Sequence, residues 1–330
     1  MSYLPCELHC HTVHSDGDFT VRQLEDSAVN DHLALIALTD HNTTSGCDEL
    51  NDSIIPSIKG IEWTTYFGHM LVLGVNGFVD WRDAVPDNID KKIEEVKEKG
   101  SIVGIAHPYQ LGSPMCTGGR WEFNIKNWRN VDYMEIWHRS FSFDNYENDN
   151  ALKLWTNLLD EGYHIAATYG RDWHRNENGG HYGCTYLDID GEINQKNAIR
   201  AIRMGKTVVS TGAKFFFRVH QKGKTYNLGE TMRKGMGIFS FFIDLHSREK
   251  NKGDEEIEYK TIKVITNGGQ CVMESALTER HVRIDLKRNH WYRAELWGTV
   301  NGVAKPLAIT SPVYTCLLYT SPSPRDYAAS

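Results

Sequence analysis

LALIALTDH, residues 33–41, is the stretch on which the fold turns. Residues 33–39 form a continuous apolar run, as expected for a parallel strand buried on both faces. Asp40 and His41 then stand at the strand's C-terminal end, where α/β folds gather their sites. Working outward, residues 6–11 read as a strand, and Thr20 can cap a helix to about Asn30 with Val21, Leu24 and Ala28 inward. Further strands are expected at 57–62, 69–75, 101–107, 133–137 and 164–169. Helical spacing spans 87–99 and 150–161, ended by Gly100 and Gly162. This alternation predicts an α/β unit over residues 1–212 built on a parallel sheet, open or closed into a barrel.

From Phe215 the pattern changes to alternating or apolar strands, FFFRVHQ, GIFSFFIDL, YKTIKVIT, QCVMES, HVRIDL and WYRAEL, divided by turns such as Asn267-Gly268-Gly269. Residues 213–315 are therefore expected to form a small antiparallel β-sandwich, joined through a helix at 194–204 and a strand at 207–211. The closing CLLYTSPSPRDYAAS, 316–330, fits neither unit and reads as a non-native, adapter-derived tail outside the fold.

Of 330 residues, 40% are apolar and 24% charged, an ordinary globular balance. No apolar stretch approaches the roughly 18 residues of a membrane helix. The first chemical motif begins at His9, so no signal peptide is expected and the default address is cytoplasmic. The net charge is −7, with 31 Asp+Glu against 19 Lys+Arg in residues 1–214. That balance, without a basic stripe, argues against nucleic acid as partner. Seven cysteines without a CxxC pair argue against a disulfide framework or thiolate zinc site; Cys10 and Cys184 read as small buried residues.

The chemistry lies at strand ends. His9 and His11, two apart on a strand, can face one ion. Asp16-Gly17 turns a carboxylate back to the same mouth, and His41 follows the apolar run with Asp40 facing away as a supporting group. Glu62 ends one strand and His69 begins the next; His107-Pro108 ends another; Asp172 and His174 repeat the spacing of two. Singly each residue is as readily a turn or surface group, but five coincidences at five strand ends point to a metal cluster.

The motifs HCHTVHSDG (9–17), LTDHNT (38–43), GIE (60–62) followed by GH (68–69), AHP (106–108) and DWH (172–174) resemble the PHP (polymerase and histidinol phosphatase) superfamily. IEWTTYFGHMLVLGV (61–75), GRDWH (170–174) and AITSPVY (308–314) look like its carbaryl-hydrolase-like CehA/McbA branch, and the likeness covers about residues 4–315. The resemblance implies a distorted (βα)7 barrel binding two to three divalent ions. It assigns His9, His11, Glu62 and Asp172 to a first ion, Glu62, His69 and His107 to a second, and Asp16, His41 and His174 to a third. Arg171 departs from the small residue common at its position and is expected to alter the substrate side.

Mixed N/O donors suit Zn, Mn or Fe. Paired ions make hydroxide available near neutral pH, so the expected nucleophile is metal-bound hydroxide, with Glu62 central to it. Arg120, His138, Arg139, Arg171, Arg175 and His181 stand in or beside loops that can grip an anion, although each is equally read as a surface residue. His138 and His181 are the preferred general acid or phosphate contacts. Glu135 reads as a carboxylate orienting a ligand or as a buried structural pair, and His14 as a turn histidine. Gly118-Gly119 and Gly179-Gly180 are candidates for loops over the mouth. The expected activity is a phosphoesterase acting on a small, anionic ester. The alternatives are a carbamate, amide or carboxylic-ester hydrolase on the same centre and a non-catalytic, metal-stabilised binding module. The sandwich is expected to pack on the barrel or to join two subunits.

Overall fold

The computed structural model describes residues 3–111, 119–139, 146–176, 182–248 and 256–316. His181, Gly118, Gly179, Gly180 and the tail from 317 onward lie outside the described residues.

The first half holds β1 (Tyr3–Cys10), β2 (Leu35–Leu38), β3 (Ser57–Thr65), β4 (Gly68–Leu73), β5 (Ile102–Ile105), β6 (Tyr133–His138), β7 (Ala166–Gly170), β8 (Cys184–Asp188) and β9 (Thr207–Ser210). Between them run α1 (Val21–Asn30), α2 (Ile89–Glu98), α3 (Tyr146–Asp160) and α4 (Gln195–Arg203). Thr20 caps α1 in a reciprocal box with Gln23, and Asn194 caps α4. Gly100 and Gly162 follow α2 and α3 with φ of 86°, a conformation glycine adopts without strain. The four residues of β2 are all buried, as the apolar run requires.

The sheet is mixed, which corrects the expectation of a parallel one. β1–β2, β2–β3, β5–β6 and β6–β7 are parallel, whereas β4 runs antiparallel to both β3 and β5. Only Tyr66 and Phe67 separate β3 from β4, and a parallel return needs a crossover of a dozen or more residues. The reversal brings the start of β4 to the edge where the parallel strands end, and Thr64 faces His69 across the hairpin. The hydrogen-bonded path runs β9-β8-β1-β2-β3-β4-β5-β6-β7. At the site end Cys10 bridges Trp173, just past β7, so the two flanks of the path meet there.

The second half holds β10 (Lys214–Gln221), β11 (Lys224–Tyr226), β12 (Thr231–Met232), β13 (Gly235–Asp244), β14 (Ile257–Thr266), β15 (Gln270–Ala276), β16 (His281–Leu286), β17 (Trp291–Val300), β18 (Val303–Thr310) and β19 (Val313–Thr315). β11-β10-β13-β16 form a separate four-stranded antiparallel sheet. Its inward Phe217, Val219, Phe239 and Phe241 share one core with Ile262, Val264, Tyr292 and Leu296 of the facing layer. That facing layer is not independent: β18 pairs with β9, so its strands continue the sheet of the first half. The buried Arg293 of β17 also donates to Thr156 on α3, and Asp160 accepts from the Trp291 indole. Among the described residues no helix is long and apolar enough to cross a membrane.

Candidate metal centre

Strand geometry brings His9, His11, Asp16, His41, Glu62, His69, His107, His138, Asp172 and His174 to one end of the first-half sheet. The deepest group is His9, His11, Glu62 and Asp172. The Nε2 atoms of His9 and His11 lie 3.2 and 3.3 Å from Glu62 Oε2, and 3.4 and 3.1 Å from Asp172 Oδ1. Each of these four atoms is buried, and none makes a hydrogen bond. Buried polar groups without partners are rare because each forfeits its hydration. Four that face one another form a cage, and donors about 2.0–2.2 Å from a tetrahedral ion stand roughly 3.3–3.5 Å apart. The residues therefore fit a divalent cation.

Glu62 joins this group to its neighbours. Its Oε1 lies 2.8 Å from His69 Nδ1 and 3.2 Å from His107 Nε2, while His41 Nδ1 is 2.9 Å from Oε2. His41, Glu62 and His69 form a second group of convergent donors, and His107, His138 and Asp172 a third, with His138 Nε2 3.2 Å from Asp172 Oδ2. A fourth group at the rim comprises His11, Asp16, His41 and His174; Asp16 Oδ1 lies 3.1 Å from His174 Nε2 and 3.5 Å from His41 Nε2. Asp172 and His107 hold positive φ, 55° and 23°, a backbone cost met at functional sites.

Electrostatics follow from this crowding. Burial opposes ionisation of Glu62 and Asp172, yet the facing imidazoles, His9 foremost, hold both well below the usual carboxylate range. Burial pushes His11 down to about 4, so its ring is neutral and free to donate a lone pair. Burial lowers His9 as well, but Glu135, Glu62 and Asp172 more than offset it and raise the ring well above its ordinary value. At the rim, His174 draws Asp16 down to about 2.

A shell of supporting groups surrounds the donors. Glu135 Oε1 pairs with His9 Nδ1 at 2.8 Å, leaving Nε2 to point into the cage, and its Oε2 accepts the His107 N–H. A side chain at Gly170 would overlap the Glu135 carboxylate, so residue 170 must stay small. Asp40 accepts from Thr12 N, Thr12 Oγ1 and Ser15 Oγ, which fixes the turn that returns Asp16 to the mouth. Asn148 on α3 accepts the N–H of His138 and donates to its carbonyl.

The structure places Arg171 and His138 differently from the sequence reading and regroups two of the expected ligands. Arg171 does not face the mouth: its guanidinium pairs with Asp31 at 2.8 Å and stacks on the rings of Trp173 and Tyr182. Past β7, Asp172 and His174 turn to the donor cluster while Arg171 and Trp173 stack on the other side. His138 is buried within the donor cluster, beside Asp172 and His107, instead of in a substrate loop. His69 and His107 both touch Glu62 as expected, but His107 groups with His138 and Asp172, and His69 with His41. Glu7, which received no role from the sequence, is buried beneath His9; burial pushes it up to about 7. Its signal was a carboxylate on the same strand face as His9 and His11.

The histidine–carboxylate cage lies at strand ends of a mixed α/β sheet, and comparison with known proteins bears on the architecture around it. No protein-family model matches the chain, and no curated protein matches it. Among solved structures it is similar to a two-domain protein containing a predicted PHP-like metal-dependent phosphoesterase from Bacteroides vulgatus ATCC 8482, at 17% identity and a TM-score of 0.51, over 94% of this chain and 95% of that one. This likeness shows a shared fold along nearly the whole of both chains. Shorter similarities, at 18% identity each, are to a candidate metal-dependent phosphoesterase from Bifidobacterium adolescentis ATCC 15703 (TM-score 0.39, 60% of this chain and 94% of that) and an amidohydrolase from Chromobacterium violaceum (0.32, 52% and 88%).

Proposed function

We propose that this chain is a metal-dependent hydrolase of the PHP kind, cleaving a small phosphomonoester or phosphodiester. The observation that carries the reading is the cage of four buried, unpartnered donor atoms from His9, His11, Glu62 and Asp172. Residues 1–212 are then the catalytic unit, a distorted barrel whose closure is supported by the Cys10–Trp173 bridge, with 213–315 as the β-rich unit attached to it. The mixed N/O donors suit Zn²⁺, Mn²⁺ or Fe²⁺. When bound, such ions lower the pKa of water toward about 7 and neutralise charge on a phosphoryl oxygen.

The chain's own residues supply the rest. Glu62 presents separate oxygens to His9 and His11 on one side and to His69 and His107 on the other, so one carboxylate spaces two positions. Glu135 keeps His9 Nε2 aimed inward. Asp16, 60% exposed, marks the side from which substrate approaches. On that side Arg139, 59% exposed, reaches within 3.6 Å of Asp172 Oδ2 and can turn to a phosphate oxygen. His138 serves as a metal ligand, not as a general acid, because burial holds its ring below its ordinary value beside His107. A guanidinium at the rim favours an anionic ester over a neutral carbamate.

A paired assay with bis(p-nitrophenyl) phosphate and a naphthyl carbamate, each with Mn²⁺ and Zn²⁺, tests the assignment. Turnover of the phosphate ester is expected. Turnover of the carbamate alone would move the chain to the carbamate-hydrolysing alternative, and full metal loading without turnover of any ester would favour a binding module.

A further inference from the structure

β1 carries His9, and the segment after β7 carries Asp172, yet among the described residues the two are joined by a single bridge at Cys10 and Trp173. There the His11 N–H donates to Trp173 O and the Trp173 N–H to His9 O. Directly below, β1 loses register with β2 between Glu7 and Cys10, a bulge that releases backbone donors from the ladder. Glu7 takes them up. Its Oε1 accepts the N–H of Leu8 at 3.0 Å, of His9 at 3.0 Å and, across the gap, of Arg171 at 3.1 Å. One buried oxygen therefore ties the backbone of one cage residue to the residue preceding another.

We propose that Glu7 is a positioning residue that sets the separation of His9 and Asp172 and thereby the metal affinity of the cage. The proposal rests on the metal-centre reading above. Acceptance of the three N–H groups is the working property, so glutamine, whose carbonyl oxygen can sit where Oε1 does, should replace glutamate, and alanine should not.

The full-length chain, stripped of metal, is titrated with Zn²⁺ against a chromophoric chelator as wild type, Glu7→Gln and Glu7→Ala. Circular dichroism of each metal-free variant reports its thermal midpoint alongside. Glu7→Gln is expected to bind zinc within about threefold of wild type, and Glu7→Ala about 10–100-fold more weakly, the range for groups that orient ligands. Alanine at wild-type affinity, even with a lowered midpoint, would overturn the proposal by making Glu7 merely structural. An equal loss in both variants would overturn it by making charge the working property. Should Glu7→Ala not fold, Glu7→Gln alone decides, because a loss above about tenfold contradicts the acceptor role and retention supports it. A wild-type chain that takes up no zinc would instead remove the metal reading itself.

Discussion

The floor and the rim of the cluster are built from the same residue types under opposite conditions. At the floor, His9, His11 and Glu62 are fully buried, Asp172 nearly so, and five of their atoms, including both ring nitrogens of His11, have no hydrogen-bond partner. At the rim, His41 and His174 are about one-fifth exposed and Asp16 more than half, so water can satisfy what the protein does not. The difference teaches which donors need an ion. Buried polar atoms without hydrogen bonds are costly, whereas a hydrated carboxylate at the surface is not. Metal should therefore be held tightly at the floor and exchange more readily at the rim, which leaves the rim free to meet substrate.

The largest effect is expected from Glu62→Gln, because that carboxylate touches both halves of the floor. Zinc affinity, and turnover of the phosphate ester if the proposed activity holds, should each fall by more than about 100-fold, beyond what loss of an orienting group costs. Isothermal titration and steady-state rates would show it, and a variant with normal turnover would erase the distinction between floor and rim. Glu135→Gln should weaken zinc binding by about 10–100-fold, since His9 loses the partner that fixes its ring. His174→Ala should remove one rim position only. Elemental analysis should then report about one ion fewer per chain while the floor stays loaded; loss of every ion would show that the two regions bind as one unit. Smallest for function is Arg171→Met. Removing the pair to Asp31 and the stacking on Trp173 and Tyr182 should cost about 1–3 kcal/mol of stability, read by denaturant unfolding, with turnover unchanged.

Much of this was legible in the sequence, for identifiable reasons. The run at 33–39 and the cap at Thr20 report local preferences, and the chain obeys them. Donor residues recur at the ends of apolar strands, so their convergence follows once those strands lie side by side. Strand direction was harder, because apolar spacing carries no sense of direction; the six residues between the expected strands 57–62 and 69–75 were already too few for a parallel crossover, and the structure shortens that connection to Tyr66-Phe67. The β9–β18 pairing joins segments about a hundred residues apart, and nothing local announces it. Arg171 misled because a cation beside DWH looks like an anion contact, whereas its guanidinium pairs with Asp31 and stacks on Trp173 and Tyr182. Glu7 escaped notice although it shares a strand face with His9 and His11, because its role of accepting backbone N–H groups freed by a bulge is not carried by that spacing.

The most direct measurement is an anomalous-difference map from crystals of the chain purified without chelator and supplied with Zn²⁺ or Mn²⁺. The account predicts a peak among His9 Nε2, His11 Nε2, Glu62 Oε2 and Asp172 Oδ1, stronger than any at Asp16 and His174. A metal-free floor beneath a loaded rim, or no peak at all, would contradict it.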